Sequence, residues 1–133
     1  MPTVLVYSED PVVRDQVRMA IGRSPADGVG QLDYLMAEKG DQVVRAVEAG
    51  EPDLLVLDGE AWPTGGLGIS RELKNSGLDC PPIVVLIGRR DDRWLGAWSQ
   101  ADAVLPHPID SWELSRAAVS LLTGVPVAKK ERA

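Results

Sequence analysis

The stretch Pro52-Asp53-Leu54-Leu55-Val56-Leu57-Asp58 is apolar without a break from Leu54 to Leu57 and stops on a carboxylate. A strand with one wet face alternates apolar and polar residues, whereas an unbroken run belongs to a central strand covered on both faces. Ile83-Val84-Val85-Leu86-Ile87, bounded by Pro82 and Gly88, reads the same way, and Val4-Leu5-Val6-Tyr7 is a third β-rich run. Two weaker strands complete the set. Leu32, Tyr34 and Met36 alternate with other residues, and Ala103-Val104-Leu105 is brief.

Segments of helical period lie between these runs. Asp10-Pro11 opens the first, because Asp caps a helix and Pro suits its first position. Val13, Val17, Ala20 and Ile21 then recur on one stripe. Gly22 to Gly30 is a loop by composition. Asp41 is the expected cap of a second helix with Val43, Val44 and Val47 facing inward, stopped by Gly50. A Pro/Gly loop from Trp62 to Gly68 precedes a third helix carrying Ile69 and Leu73. The charged turn Arg89-Arg90-Asp91-Asp92-Arg93 leads into a short helix with Trp94, Leu95 and Trp98. Asp110 and Glu113 have capping-box spacing, and Leu114, Ala118, Leu121 and Leu122 form the apolar face of the last helix. Residues 1–124 are expected to form one domain and 125–133 a frayed tail.

Strand and helix thus alternate five times. That order implies a parallel sheet with helices on both faces. Right-handed crossovers favour a doubly wound α/β arrangement with strand order 2-1-3-4-5, as in flavodoxins.

Composition narrows the function. The chain has 133 residues, 44% of them apolar, which fits one domain with a real core. Fourteen Lys and Arg against 20 Asp and Glu give a net charge of −6. That balance weighs against non-specific nucleic-acid binding and against anionic membranes. The single cysteine, Cys80, has no partner for an internal disulfide, and no Cys/His cluster suggests zinc. No apolar stretch reaches the roughly 18 residues of a membrane span. The N-terminus reads as a strand and not a signal peptide, so a cytoplasmic location is expected.

In a doubly wound sheet a site forms beyond the carboxyl ends of the strands, near the switch in strand order. The residues there are Ser8 and Glu9, Asp58, Ile87 and Gly88, and His107 with Pro108. They are expected to converge, since the first, third, fourth and fifth strands are neighbours.

Over nearly its full length the chain resembles the receiver domain of response regulators, the CheY-like family. The resemblance rests on Val4-Leu5-Val6-Tyr7-Ser8-Glu9-Asp10-Pro11, Pro52 to Asp58, Pro82 to Gly88 and Ala101-Asp102-Ala103-Val104-Leu105-Pro106-His107-Pro108. More narrowly, it is similar to single-domain atypical receivers of actinobacteria, which share a Leu-Asp-Gly-Glu-Ala and His-Pro pattern. The resemblance implies phosphoryl transfer from a histidine kinase to Asp58, with Mg²⁺ held by two acidic residues after the first strand and by Asp58 itself. Glu9 keeps one of those acids, but Ser8 stands where the other belongs, so Mg²⁺ binding through Glu9 and Asp58 should be weak or absent. Ile87 stands where a Thr or Ser hydroxyl is expected, and His107 where a Lys precedes a cis-proline. Val104 replaces the aromatic switch residue. The loop from Asp58 to Pro63 is one residue longer than usual and contains Trp62. One of Arg89, Arg90 and Arg93 could replace the missing cation.

Trp94 and Trp98 lie four apart and share a helical face. They either pack on the sheet as core or build a partner surface with Val104 and Trp112. That surface would be the face of the fourth helix, fifth strand and fifth helix, which receivers use for dimerisation and output. The leading expectation is a stand-alone, non-enzymatic signalling module that acts by protein contact, with a histidine kinase or other signalling protein as partner. A pseudo-receiver that works without phosphorylation is the alternative. A small flavodoxin-fold enzyme fits less well, because Ser8-Glu9-Asp10-Pro11 is acidic and would repel a flavin phosphate.

Overall fold

The computed structural model describes residues 1–26, 28–61, 65–88 and 93–124. Five strands and five helices alternate: β1 (Thr3–Tyr7), α1 (Pro11–Ile21), β2 (Asp33–Ala37), α2 (Gly40–Glu48), β3 (Leu54–Asp58), α3 (Gly66–Asn75), β4 (Ile83–Ile87), α4 (Arg93–Ser99), β5 (Ala103–Pro106) and α5 (Ser111–Thr123). The strands form one parallel sheet in the order β2-β1-β3-β4-β5. The expected doubly wound arrangement is therefore the observed one.

The apolar runs divide by parity, as side chains on a strand must. Leu5, Tyr7, Leu55, Leu57, Ile83, Val85 and Ile87 point to one face, where Val43, Ala46 and Val47 of α2 and Ile69 and Leu73 of α3 cover them. Val4, Val6, Leu54, Val56, Val84 and Leu86 point to the other, under Val17 and Ile21 of α1 and Leu114 and Ala118 of α5. Every residue of β3 and β4 is buried. Among the described residues, no helix is long and apolar enough to cross a membrane.

The helix ends follow from local chemistry. Asp10 accepts the Val12 N–H and caps α1, with Pro11 at its first position. Asp110 accepts the Glu113 N–H and caps α5. Asp41 does not cap α2, contrary to expectation; the N-cap is Lys39. Gln42 is the reason. Its Oε1 accepts the N–H groups of Glu38 and Lys39, so the helix starts earlier and Asp41 sits in the first turn, 3.7 Å from Arg45.

The other differences are local. β2 is an edge strand, and Met36 at its end is exposed although it shares parity with the packed Tyr34. Burial pushes the Tyr34 phenol up to about 12; its hydroxyl donates to the Gly22 carbonyl. Cys80 is half-buried, and burial likewise pushes its thiol up. Trp62, Arg89, Arg90 and the segment 125–133 lie outside the described residues, as does the Arg93 side chain.

Candidate functional site

β1 and β3 pair in parallel with Val6 opposite Val56 and Tyr7 opposite Leu57. The next residues along are Ser8 and Asp58, so the register carries a hydroxyl and a carboxylate to the same rim of the sheet. Both are buried, Ser8 fully and Asp58 with 4% of its surface exposed. Ser8 Oγ donates to Asp58 Oδ2 at 2.8 Å and accepts the Asp10 N–H at 3.1 Å. Asp58 Oδ1 accepts the Glu60 N–H at 2.9 Å.

β4 and β5 supply the opposite wall. Ile87 pairs with Pro106, and the His107 N–H donates to the Ile87 carbonyl at 2.7 Å. This holds the imidazole over the site, with Nε2 3.4 Å from Asp58 Oδ1. The contact is an ion pair when His107 is protonated. The His107-Pro108 bond is cis.

Of the residues singled out in the sequence, Ser8, Asp58 and His107 come into direct contact. Ile87 lies at the strand end with its side chain in the core. Gly88 stands at the rim, where a Cβ would lie 1.8 Å from Glu60 Oε1, so the absence of a side chain there makes room for the Glu60 carboxylate. Glu9 is exposed. Its charge reaches Tyr7, whose phenol is raised first by burial and then by Glu9 and Asp58. A cleft of about 720 Å³ opens beside the site, walled by Met19, Ala20, Gly88, His107 and Ile109 among others; Asp58 is not one of its walls.

Two participants carry no sequence signal of their own: Tyr7 has the pattern of a strand residue, and Glu60 acts through its backbone N–H. Ser8 stands out in the sequence as a departure, but its bond to Asp58 depends on strand register.

Mg²⁺ does not fit this donor set. Among the described residues, no group of three His, Cys, Asp or Glu side chains could hold a metal ion. Ser8 brings no charge, and its proton already points at Asp58 Oδ2.

On the far side of the sheet edge, Trp94, Trp98 and Trp112 are 67%, 46% and 41% exposed, so of the two readings open for Trp94 and Trp98 core packing fails. The reason is Gly96. A Cβ there would lie 2.4 Å from Val104 Cγ2, so α4 meets β5 through its glycine, which leaves Trp94 and Trp98 outward. Arg71 lies over the Trp98 ring at 4.8 Å and donates to the Trp98 carbonyl at 2.7 Å. Arg116 lies 5.6 Å over Trp112.

No protein-family model matches the chain. It is 45% identical over 119 residues to a Mycobacterium tuberculosis protein named as a response regulatory protein, covering 90% of each. It is 30% identical over 84% of its length to the response regulator MprA of Mycobacterium ulcerans, of which it covers 46%. Among solved structures, the receiver domain of a Francisella response regulator superposes with a TM-score of 0.76 at 19% identity, over 93% of this chain and 98% of that one. A signal receiver domain of a Syntrophus aciditrophicus histidine kinase gives 0.73 at 19% identity, over 100% and 98%. The structural likenesses speak for the fold, and the mycobacterial relative for kinship: with a buried aspartate ending β3 of a 2-1-3-4-5 sheet, the chain belongs to the response-regulator receiver family of two-component signalling.

Proposed function

We propose that the chain is a stand-alone atypical receiver that signals by protein contact in the cytoplasm, without catalysing a reaction of its own, with Asp58 at the phosphoacceptor position. Residues 1–124 make up the receiver unit and 125–133 its tail. The observation that carries the reading is the buried Asp58 carboxylate at the end of β3, faced by His107. One carboxylate oxygen attacks the phosphorus of a histidine kinase's phosphohistidine, the P–N bond breaks, and the phosphoryl group stays on Asp58 as an acyl phosphate. A protonated His107 and the Glu60 N–H are placed to offset the added negative charge. Ile87 and Gly88 leave that wall without a hydroxyl, and Pro108 fixes the turn behind His107.

Trp94, Trp98 and Trp112 are the proposed partner surface on α4 and α5, open to a signalling protein or a second copy of the chain, whereas Val104 of β5, expected to join them, is half-buried beneath Gly96. Exposed Trp beside Arg is the composition of interface hot spots. Nucleic acid and membrane are not proposed as partners, in keeping with the net charge of −6.

A second reading is favoured by the Ser8–Asp58 bond, which satisfies the carboxylate internally. In it the fold presents its surface constitutively and Asp58 is structural. Intact-mass analysis after incubation with acetyl phosphate separates the two. A single phosphoryl adduct on wild type that is absent from Asp58→Asn supports phosphotransfer. No adduct on wild type, together with wild-type self-association in sedimentation that a Trp94→Ser/Trp98→Ser variant loses, supports the constitutive reading. Self-association unchanged by the two substitutions removes this face from the proposal.

A further inference from the structure

We infer that Ser8 closes the metal seat of Asp58, and that the side chain at position 8 decides whether this receiver takes Mg²⁺. The inference rests on Asp58 standing at the phosphoacceptor position, as proposed above.

Mg²⁺ demands near-octahedral oxygen ligands and sheds its water reluctantly, so it needs anionic oxygens with free lone pairs. Here the anionic oxygens that would meet the ion are already engaged. Asp58 Oδ2 accepts the Ser8 proton at 2.8 Å, inside a pocket that leaves Ser8 fully buried. Ser8 Oγ in turn accepts the Asp10 N–H. Oδ1 already carries the Glu60 N–H and faces His107. A cation approaching Oδ2 would have to break a buried, charge-assisted hydrogen bond and would gain in return a neutral hydroxyl. The hydroxyl therefore occupies the metal's contact, and the imidazole, when protonated, supplies positive charge from the other side.

The reverse change is a single residue. Aspartate at position 8 would put a carboxylate beside Asp58, with Glu9 next in the chain. Two adjacent buried carboxylates repel each other unless a cation joins them.

The test is calorimetric titration of Mg²⁺ into the intact chain, with no phosphodonor present. Asp58→Asn, which removes the central ligand, measures ion binding elsewhere on the acidic surface. Wild type is expected to give the same heats as Asp58→Asn up to about 10 mM Mg²⁺, whereas Ser8→Asp gains a site half-saturated at about one tenth of that concentration or less. Thermal unfolding provides a second readout, because a ligand that binds only the folded state raises the midpoint. The Ser8→Asp midpoint should rise with Mg²⁺ and the wild-type midpoint should not. Ser8→Gly, which removes the hydroxyl without adding charge, keeps the test open if Ser8→Asp fails to fold; it should give heats above those of Asp58→Asn where wild type gives none. Wild-type binding that depends on Asp58 and matches Ser8→Asp overturns the inference. So does a lack of any gain in both variants. Failure of the phosphoacceptor reading would show in the adduct experiment and not here.

Discussion

Gly66→Ala is expected to destabilise the chain by about 3 kcal/mol, seen as a lower urea midpoint at unchanged slope. Gly66 opens α3 directly against the end of β3. A Cβ on it would stand 2.8 Å from the Asp58 carbonyl oxygen, 2.8 Å from Leu57 Cβ and 2.9 Å from the Asp58 carbonyl carbon. Two of those atoms are backbone of a fully buried strand, so no rotamer change relieves the clash. Either the helix lifts off the sheet or the strand end shifts, and the strand end carries the site. Gly68, two residues on in the same helix, is the control. Nothing lies within 4 Å of its Cβ position, so Gly68→Ala should stabilise by up to about 1 kcal/mol through helix propensity. Opposite signs at neighbouring glycines cannot come from propensity alone. Equal effects at both would show that the close approach of α3 to Asp58 does not govern stability.

The same contact shows why the fold was legible and part of the site was not. Unbroken runs such as Leu54–Leu57 and Ile83–Ile87 announce strands buried on both faces, because burial leaves no room for polar alternation. The five-fold alternation then fixes the sheet order through the handedness of crossovers. Site positions follow from topology, so the order of strands alone brings Asp58, Ser8 and His107 to one rim. Hydrogen-bond partners need more. The Ser8–Asp58 bond depends on the register of Val6 with Val56, and the role of Glu60 on a backbone N–H. Lys39 as the cap of α2 was hidden for a related reason. A capping side chain belongs to residue type, whereas Gln42 acts by reaching back across the turn. The outward Trp94 and Trp98 depended on where α4 touches β5, and Gly96 gives no periodic signal.

Ser8→Ala and Asp58→Ala should each destabilise the chain by about 2 kcal/mol, and the pair should be coupled by about 1 to 2 kcal/mol. Removing the hydroxyl leaves Asp58 Oδ2 buried without its donor and takes the acceptor from the Asp10 N–H. Removing the carboxylate strands the Ser8 hydroxyl, which has no access to water, along with the Glu60 N–H. Each single change leaves an unmatched buried polar group, while the double change removes both ends of the bond, so its cost falls short of the sum. The sign at Asp58 is the informative part. In a pocket of crowded carboxylates, deleting the central one relieves repulsion and stabilises the fold. Here donors surround it, and deletion should do the opposite. Urea unfolding of wild type, both single variants and the double variant closes the cycle. An Asp58→Ala variant more stable than wild type, with no coupling to position 8, would mean that the carboxylate is repelled by its surroundings and not held by them.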